Sequence, residues 1–468
     1  MRRPMSSSST ARRPRWGPMP NRTVATDGAK HRDRLGATMT KIAADLWATA
    51  KSPSVTVVSS PPGAGKTRTL IAVCQHAMKA RKRVGVACQT NAQADDVCRR
   101  LAIEIGASRV CRYISATGDD TPPVAGCHVE STANNILAGP LVVVGTTMKW
   151  ALIENAPDVD LFLIDEAWQM ALASFIPLLR FCDRFILIGD PGQIPPVVSA
   201  PTERWETSTN PPHRAAPEVL RDRMDVTRVS LPATWRLPHD TANLIRDFYD
   251  FKFESAAMEG ERSLRFVAAK SDTIAGVDKS LDQLTRHSIA RVLVPMPKAG
   301  GLAQADPDVA AAAAATVVRA LERKATATAV DRDVANKALK PTDIGVAASH
   351  RVMVQAVLSK LPSELRTQVK VDTAERWQGL ERELMVVVHP LSSMENPGDF
   401  DLETGRLCVM VSRHQSGLVV VGREHIGDTL DGILPVAAQP IGQPDAVARG
   451  LKRHRAFWKH LDESERGI

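Results

Sequence analysis

No run of eighteen apolar residues occurs anywhere in the chain, which excludes a membrane-spanning helix. Cysteines are few and unpatterned. The seven are scattered, odd in number and never spaced as C-x-x-C. That argues against a disulfide framework and a structural zinc site, and fits a reducing, cytoplasmic setting. The N-terminal residues contain no apolar core of the kind a secretory signal needs. The rest is ordinary for a globular protein, with 44% hydrophobic and 24% charged residues among 468. At roughly 100–200 residues per domain, that length holds two to four domains with ample core.

A net charge of +8 suggests a partner rich in phosphate until the charge is located. Residues 1–37 carry nine Lys or Arg against two Asp, so +7 of the +8 sits there and the other residues carry +1. Any binding argument for the folded body must therefore come from motifs. Residues 1–37 are rich in Arg, Ser and Pro and read as a disordered basic tail. Three readings stay open for them: a solvated tail adding non-specific phosphate attraction, a start placed ahead of Met39, or a transit peptide.

From about residue 40, short β-branched runs alternate with helical stretches. The runs are Val55–Val58, Val84–Ala87, Leu141–Val144, Leu161–Ile164 and Phe185–Ile188. They recur at Val292–Val294, Ile344–Ala347, Leu384–Val388 and Leu418–Val421. This alternation predicts two α/β domains with parallel sheets. Pro201, Pro211, Pro212 and Pro217 place the break near 200–230. The expected organisation is a tail at 1–37, domains at 38–230 and 231–435, and a helical extension at 436–468. Asp308–Lys324, with six consecutive alanines, predicts a helix. Residues 325–341 read as a polar surface loop, and Asp445–Glu465 as a charged helix without evident chemistry.

Ser60-Pro61-Pro62-Gly63-Ala64-Gly65-Lys66-Thr67 follows an apolar strand and opens a helix, the context a phosphate-binding loop requires. Gly63, Ala64 and Gly65 let backbone N–H groups turn toward phosphates. Lys66 would reach the β- and γ-phosphates of ATP, and Thr67 would ligate magnesium. The usual first glycine of such a loop is Ser60. Asp165-Glu166 directly follows the buried run Leu161–Ile164, roughly a hundred residues on, where Asp165 would hold Mg2+ and Glu166 would polarise the attacking water. Gly189-Asp190-Pro191-Gly192-Gln193 ends another strand, at the edge where open α/β sheets bind ligands. An amide such as Gln193 suits contact with both the γ-phosphate and the water.

In this order the motifs resemble those of superfamily 1 helicases, in the branch that includes the RNA helicases of nonsense-mediated decay. Thr90-Asn91 resembles motif Ia, Gly145-Thr146-Thr147 the next backbone-contacting motif, and Thr234-Trp235-Arg236 the segment opening the second domain. Asp247-Phe248-Tyr249-Asp250-Phe251-Lys252-Phe253 is also family-like. Ile344-Gly345-Val346 with Gln355 resembles motif IV, Val371 to Glu381 motif V, and Arg406 to Arg413 motif VI. The resemblance implies two RecA-like parallel-sheet P-loop NTPase domains with ATP between them. It implies that Arg236 and Arg413 reach the γ-phosphate, Trp235 stacks on adenine, and Glu381 takes a ribose hydroxyl. Thr90, Asn91, Thr146 and Thr373 would contact the backbone of single-stranded DNA or RNA.

Departures from the family pattern accompany these matches. Residues 38–54 lack the glutamine that reads adenine in the family, which puts discrimination against GTP in question. His350 stands at the motif IV aromatic position, and His414 follows Arg413 where the family has alanine. Only about forty residues (102–141) separate motif Ia from the next motif, leaving little room for elements that split duplexes. The expectation is a helicase or translocase. Its rivals are an ATP-driven clamp on nucleic acid that does not unwind, and a metabolic P-loop kinase.

Overall fold

The run expected before the phosphate loop is strand β1 (Ser54–Ser59), and in the computed structural model it lies within an eight-stranded sheet. The structure describes residues 22–466 apart from 50–53, 119, 137, 140, 155–156, 206, 270–275, 298–301, 395–396 and 435–445. No helix among the described residues is long and apolar enough to cross a membrane. The other strands are β2 (Val84–Cys88), β3 (Val110–Tyr113), β4 (His128–Glu130), β5 (Val142–Thr146), β6 (Leu161–Ile164), β7 (Arg184–Gly189) and β8 (Val226–Ser230). Their order is β4-β3-β5-β2-β6-β7-β1-β8, with every neighbouring pair parallel.

The strands are apolar at successive positions because both faces of the sheet are covered. Val58, Leu163 and Ile188 face one core, and Val57, Ile164 and Leu187 face the other. Helices α1 (Arg22–Thr49), α2 (Lys66–Lys79) and α3 (Asn91–Ile105) lie on the first face, contributing Leu46, Val73 and Val97. Trp150 and Phe175 fill the second, and the Trp150 indole donates to the Val86 carbonyl at 2.9 Å.

A second, five-stranded parallel sheet runs in the order Ile289–Val294, His414–Arg423, Arg382–Val388, Ile344–Ala348, Lys370–Thr373. The alanine-rich segment is the helix Pro307–Glu322, whose buried Ala310, Ala313 and Ala314 let it lie close against this sheet. Asp306 caps it and pairs with buried Arg423 at 2.6 Å, which fixes the helix start to the strand His414–Arg423. The C-terminal helix Ala446–Arg466 packs Leu451, Phe457, Trp458 and Leu461 into the other core of this sheet, so its charged appearance hides an apolar face.

Two expectations are corrected. The basic tail at 1–37 is not disordered throughout: residues 22–37 are the first part of α1, and 1–21 lie outside the described residues. Tertiary contacts supply what local composition lacks. Leu35 is buried, Arg32 pairs with Glu261 at 2.7 Å, and Arg34 with Glu254 at 2.6 Å. The loop expected at 325–341 is instead two strands, Thr326–Ala329 and Val334–Ala338, in an antiparallel sheet with Arg262–Arg265. The outer strand is exposed along most of its length, so it needs no apolar residues and reads as polar.

Candidate functional site

The site begins where β1 ends. Ser60 is buried, and its hydroxyl donates to the Gly189 carbonyl at the end of β7, at 2.9 Å. Ser60 does not have a positive φ, so the position usually held by glycine tolerates a side chain here. Gly63 has no such latitude. Its φ is 69°, and a Cβ there would stand 2.2 Å from the Cβ of Arg236. The segment Thr234–Arg236 is thus seated directly on the loop: the Trp235 N–H donates to the Gly63 carbonyl at 2.9 Å, and the Thr234 hydroxyl to the Pro62 carbonyl at 2.6 Å. Ala64 is fully buried beneath the loop. Gly65 starts α2 with no side-chain cap, so the first N–H groups of the helix, from Lys66 and Thr67 onward, are left for an anion.

Lys66 Nζ lies 3.1 Å from Glu166 Oε1, the two charges holding each other across the cavity. Asp165, at the end of β6, is buried. Burial, and then the Glu166 charge beside it, push its carboxyl up to about 7. A carboxylate in that position is stabilised by a cation, which fits it as a magnesium ligand. Glu166 sits at φ 50°, a left-handed conformation that any side chain but glycine adopts at some cost. No group of three His, Cys, Asp or Glu side chains among the described residues can hold a metal ion by itself. A divalent ion on Thr67 and Asp165 would therefore complete its shell with phosphate oxygens and water, as magnesium commonly does.

The opposite wall comes from the second sheet, across a cavity of about 780 Å³. Arg413 lines it. Its side chain is buried, Nε donates to the Val409 carbonyl at 2.9 Å, and Nη2 has no partner. Burial, then neighbouring Arg236, lower its guanidinium to about 10, which leaves it charged. A buried, charged donor without an acceptor is costly unless a ligand completes it. Arg236 pairs with Glu381 at 2.6 Å, and Gln415 Nε2 donates to the other Glu381 oxygen at 2.6 Å. Burial opposes the Glu381 charge, but Arg236 and these bonds outweigh it and lower its pKa. Trp235 is half-buried at the cavity rim, packed against the cluster around Leu35 of α1.

Arg68, Arg100, Arg332 and Gln415 line the cavity and were missed in the sequence. Arg332 comes from the hairpin that had read as a loop, and its Nη1 donates to Gln415 Oε1 at 2.5 Å. The hairpin is anchored by the buried pair Arg262–Asp331 at 2.6 Å, and Arg262 also donates to the Trp235 carbonyl at 2.9 Å. Nothing local marks Arg332 or Gln415, because long-range pairing alone brings them to the cavity. Six basic side chains face four carboxylates there, a balance that suits a polyphosphate.

The residues expected to touch a strand lie at the C-terminal edges of both sheets. Thr90 follows β2, and Thr146 is the last residue of the adjacent parallel strand β5. Each caps a helix, accepting from Gln93 N at 3.2 Å and from Lys149 N at 3.1 Å, which leaves the hydroxyl proton to donate outward. Asn91 is exposed and accepts from buried Arg112 at 2.8 Å. Thr373 ends its strand in the second sheet and is mostly buried. Two departures from the family pattern have structural accounts. His414 is buried and bonds the Thr241 hydroxyl at 2.7 Å, and burial pushes it down to about 3, so it stays neutral. His350 pairs with Asp401 at 2.8 Å and packs beside Phe400.

A family described as AAA domain matches residues 43–225, and a second family of the same description matches 247–425. The interval between them holds Trp235 and Arg236. The DNA replication ATP-dependent helicase/nuclease dna2 of Schizosaccharomyces pombe is 20% identical over 377 residues, covering 77% of this chain and 26% of its own length. The chain thus spans about a quarter of the length of that curated relative. Among solved structures, arterivirus nonstructural protein 10, a helicase, is 14% identical with a TM-score of 0.42, covering 79% of this chain and 59% of that one. The PRRSV helicase is 14% identical with a TM-score of 0.39, over 81% and 54%.

Proposed function

The chain belongs to the superfamily 1 helicase-type P-loop ATPases, and from that premise we propose that it is an ATP-driven translocase on single-stranded nucleic acid. The observation that carries the reading is Arg413: a buried guanidinium with a free donor, facing the phosphate loop across the cavity. Bound ATP with magnesium supplies the phosphoanhydride bond whose γ-phosphoryl group is transferred to water.

The residues divide the work. Lys66 leaves Glu166 for the β- and γ-phosphates, which frees Glu166 to accept a proton from the attacking water. Thr67 and Asp165 hold the metal, and Gln193 orients the water. Arg413 and Arg236 neutralise charge that develops on the transferred group, worth most in a water-poor cleft. Trp235 offers the adenine a face, and Glu381, once Arg236 turns to phosphate, is left for a ribose hydroxyl. The moving bodies in this reading are residues 38–230 and 231–435, with 436–468 carried by the second. Thr90, Asn91 and Thr146 hold strand phosphates on one body and Thr373 on the other, so closure and opening of the cleft shift their spacing. Contacts to backbone give little sequence preference.

A clamp that does not unwind is the second reading. It is favoured by the stretch 102–141, which adds only the short strands β3 and β4 to the first sheet among its described residues. Steady-state ATP turnover with and without single-stranded DNA or RNA tests the proposal. A severalfold rise with either strand is expected, and Lys66→Ala should abolish it. Turnover indifferent to both strands would overturn the proposal, and stimulation without duplex displacement would select the clamp.

A further inference from the structure

The loop Gly189–Ile194 leaves the first sheet and inserts into the core of the second: Ile194 is buried there with Tyr249 and Cys408. Within this junction a chain of hydrogen bonds crosses from one body to the other. Gln193 Nε2 donates to Asp190 Oδ2 at 2.8 Å. The Tyr249 hydroxyl donates to Asp190 Oδ1 at 3.0 Å and contacts Cys408 Sγ at 3.2 Å. The Gly192 N–H adds a bond to Asp190 Oδ1 at 2.9 Å. All of these groups are buried, where a satisfied polar network is held in one arrangement. The contact is tight: a Cβ on Gly192 would stand 2.6 Å from the Tyr249 ring.

The chemistry of the acceptor fixes the amide. A carboxylate offers only acceptors, so the Gln193 NH2 must face Asp190, and its carbonyl oxygen is left to the cavity that Gln193 lines. Turned the other way, two acceptors would meet. Tyr249 in turn fixes the carboxylate. Burial, and then the charge of Asp190, hold its hydroxyl protonated, and burial pushes the Cys408 thiol up to about 12. The network therefore consists of a tyrosine donor, an acceptor carboxylate and a neutral thiol. Cys408 sits on the helix Thr404–Val411, which leads into Arg413.

We infer that Tyr249 is a positioning residue, which sets the Gln193 amide through Asp190 and ties its orientation to the helix that leads into Arg413. The inference rests on the function proposed above. It makes the water-orienting amide and the second body's arginine parts of one unit: a shift of the helix Thr404–Val411 on strand binding moves Cys408, then Tyr249, then the carboxylate that holds Gln193.

The test uses the full-length chain, ATP and single-stranded DNA. Tyr249→Phe removes one hydroxyl and keeps the ring. It should lower strand-stimulated kcat by about tenfold, in the range of a lost oriented contact, with KM for ATP unchanged. Because Tyr249 acts through Gln193, Tyr249→Phe combined with Gln193→Ala should be no slower than Gln193→Ala alone; a merely structural role would give additive losses. Cys408→Ala, which removes only the second body's partner, should reduce stimulated kcat in the same direction and serves if Tyr249→Phe does not fold. Full stimulation in either folded variant, or additive losses, would overturn the inference. Absence of stimulation in the unaltered protein would instead defeat the proposed function.

Discussion

Arg413 shows how a single side chain becomes informative only in context. In the sequence it is the last residue of a motif-like run; in the structure it is buried with a donor unspent. Arg413→Ala should lower turnover by about 10³-fold or more, the scale of an arginine acting on a transferring phosphoryl group. Nucleotide affinity should change little, because the contact matters most in the transition state. Steady-state kinetics beside an ATP-binding titration measure both, and near-normal kcat would remove Arg413 from the site. The residues legible in the sequence share one property: their roles are set by a few neighbours along the chain. Gly63, Lys66, Asp165 and Gln193 each lie within a few residues after a buried strand, so a local pattern marks them. Arg332 takes its role from Gln415, 83 residues away, and no local pattern marks it; Tyr249 lies in a family-like segment, but its bond to Asp190, 59 residues away, was not legible there.

At the scale of elements, nine strands of the two large sheets were visible, since continuous β-branched runs are what two covered faces demand, whereas Val110–Tyr113, Val226–Ser230 and Lys370–Thr373, broken by Arg, Lys or Asp, were not. Helix α1 and the hairpin Thr326–Ala338 were not. The N-terminal half of α1 is basic and has few apolar residues; its place depends on Leu35, Arg32 and Arg34 meeting the segment 233–261. Leu35 also packs beside Trp235, so α1 supports a wall of the nucleotide cavity. Leu35→Ala should cost about 2–5 kcal/mol, as for other buried leucines, read from the urea midpoint, and should raise KM for ATP. A variant with unchanged midpoint and KM would return these residues to the status of a tail.

The molecule is built on two parallel sheets whose C-terminal strand edges meet at the cavity, and the two-domain α/β plan was legible because the motifs occur in one order. How the two bodies communicate was not, since it depends on the insertion of Gly189–Ile194 into the second core. The central claim is that ATP in one cleft and a strand across both edges are energetically linked. By linkage, each must then change affinity for the other by the same factor. The direct measurement is the affinity of Glu166→Gln for a fluorescent single-stranded oligonucleotide, with ATP and then with ADP. Glu166→Gln should still bind ATP on Lys66, Thr67 and Asp165 but hydrolyse it slowly, which holds the cleft in its ATP-bound form. The account predicts affinities that differ by about tenfold or more between the two nucleotides, within the usual range of such coupling; equal affinities in ATP and ADP would contradict it.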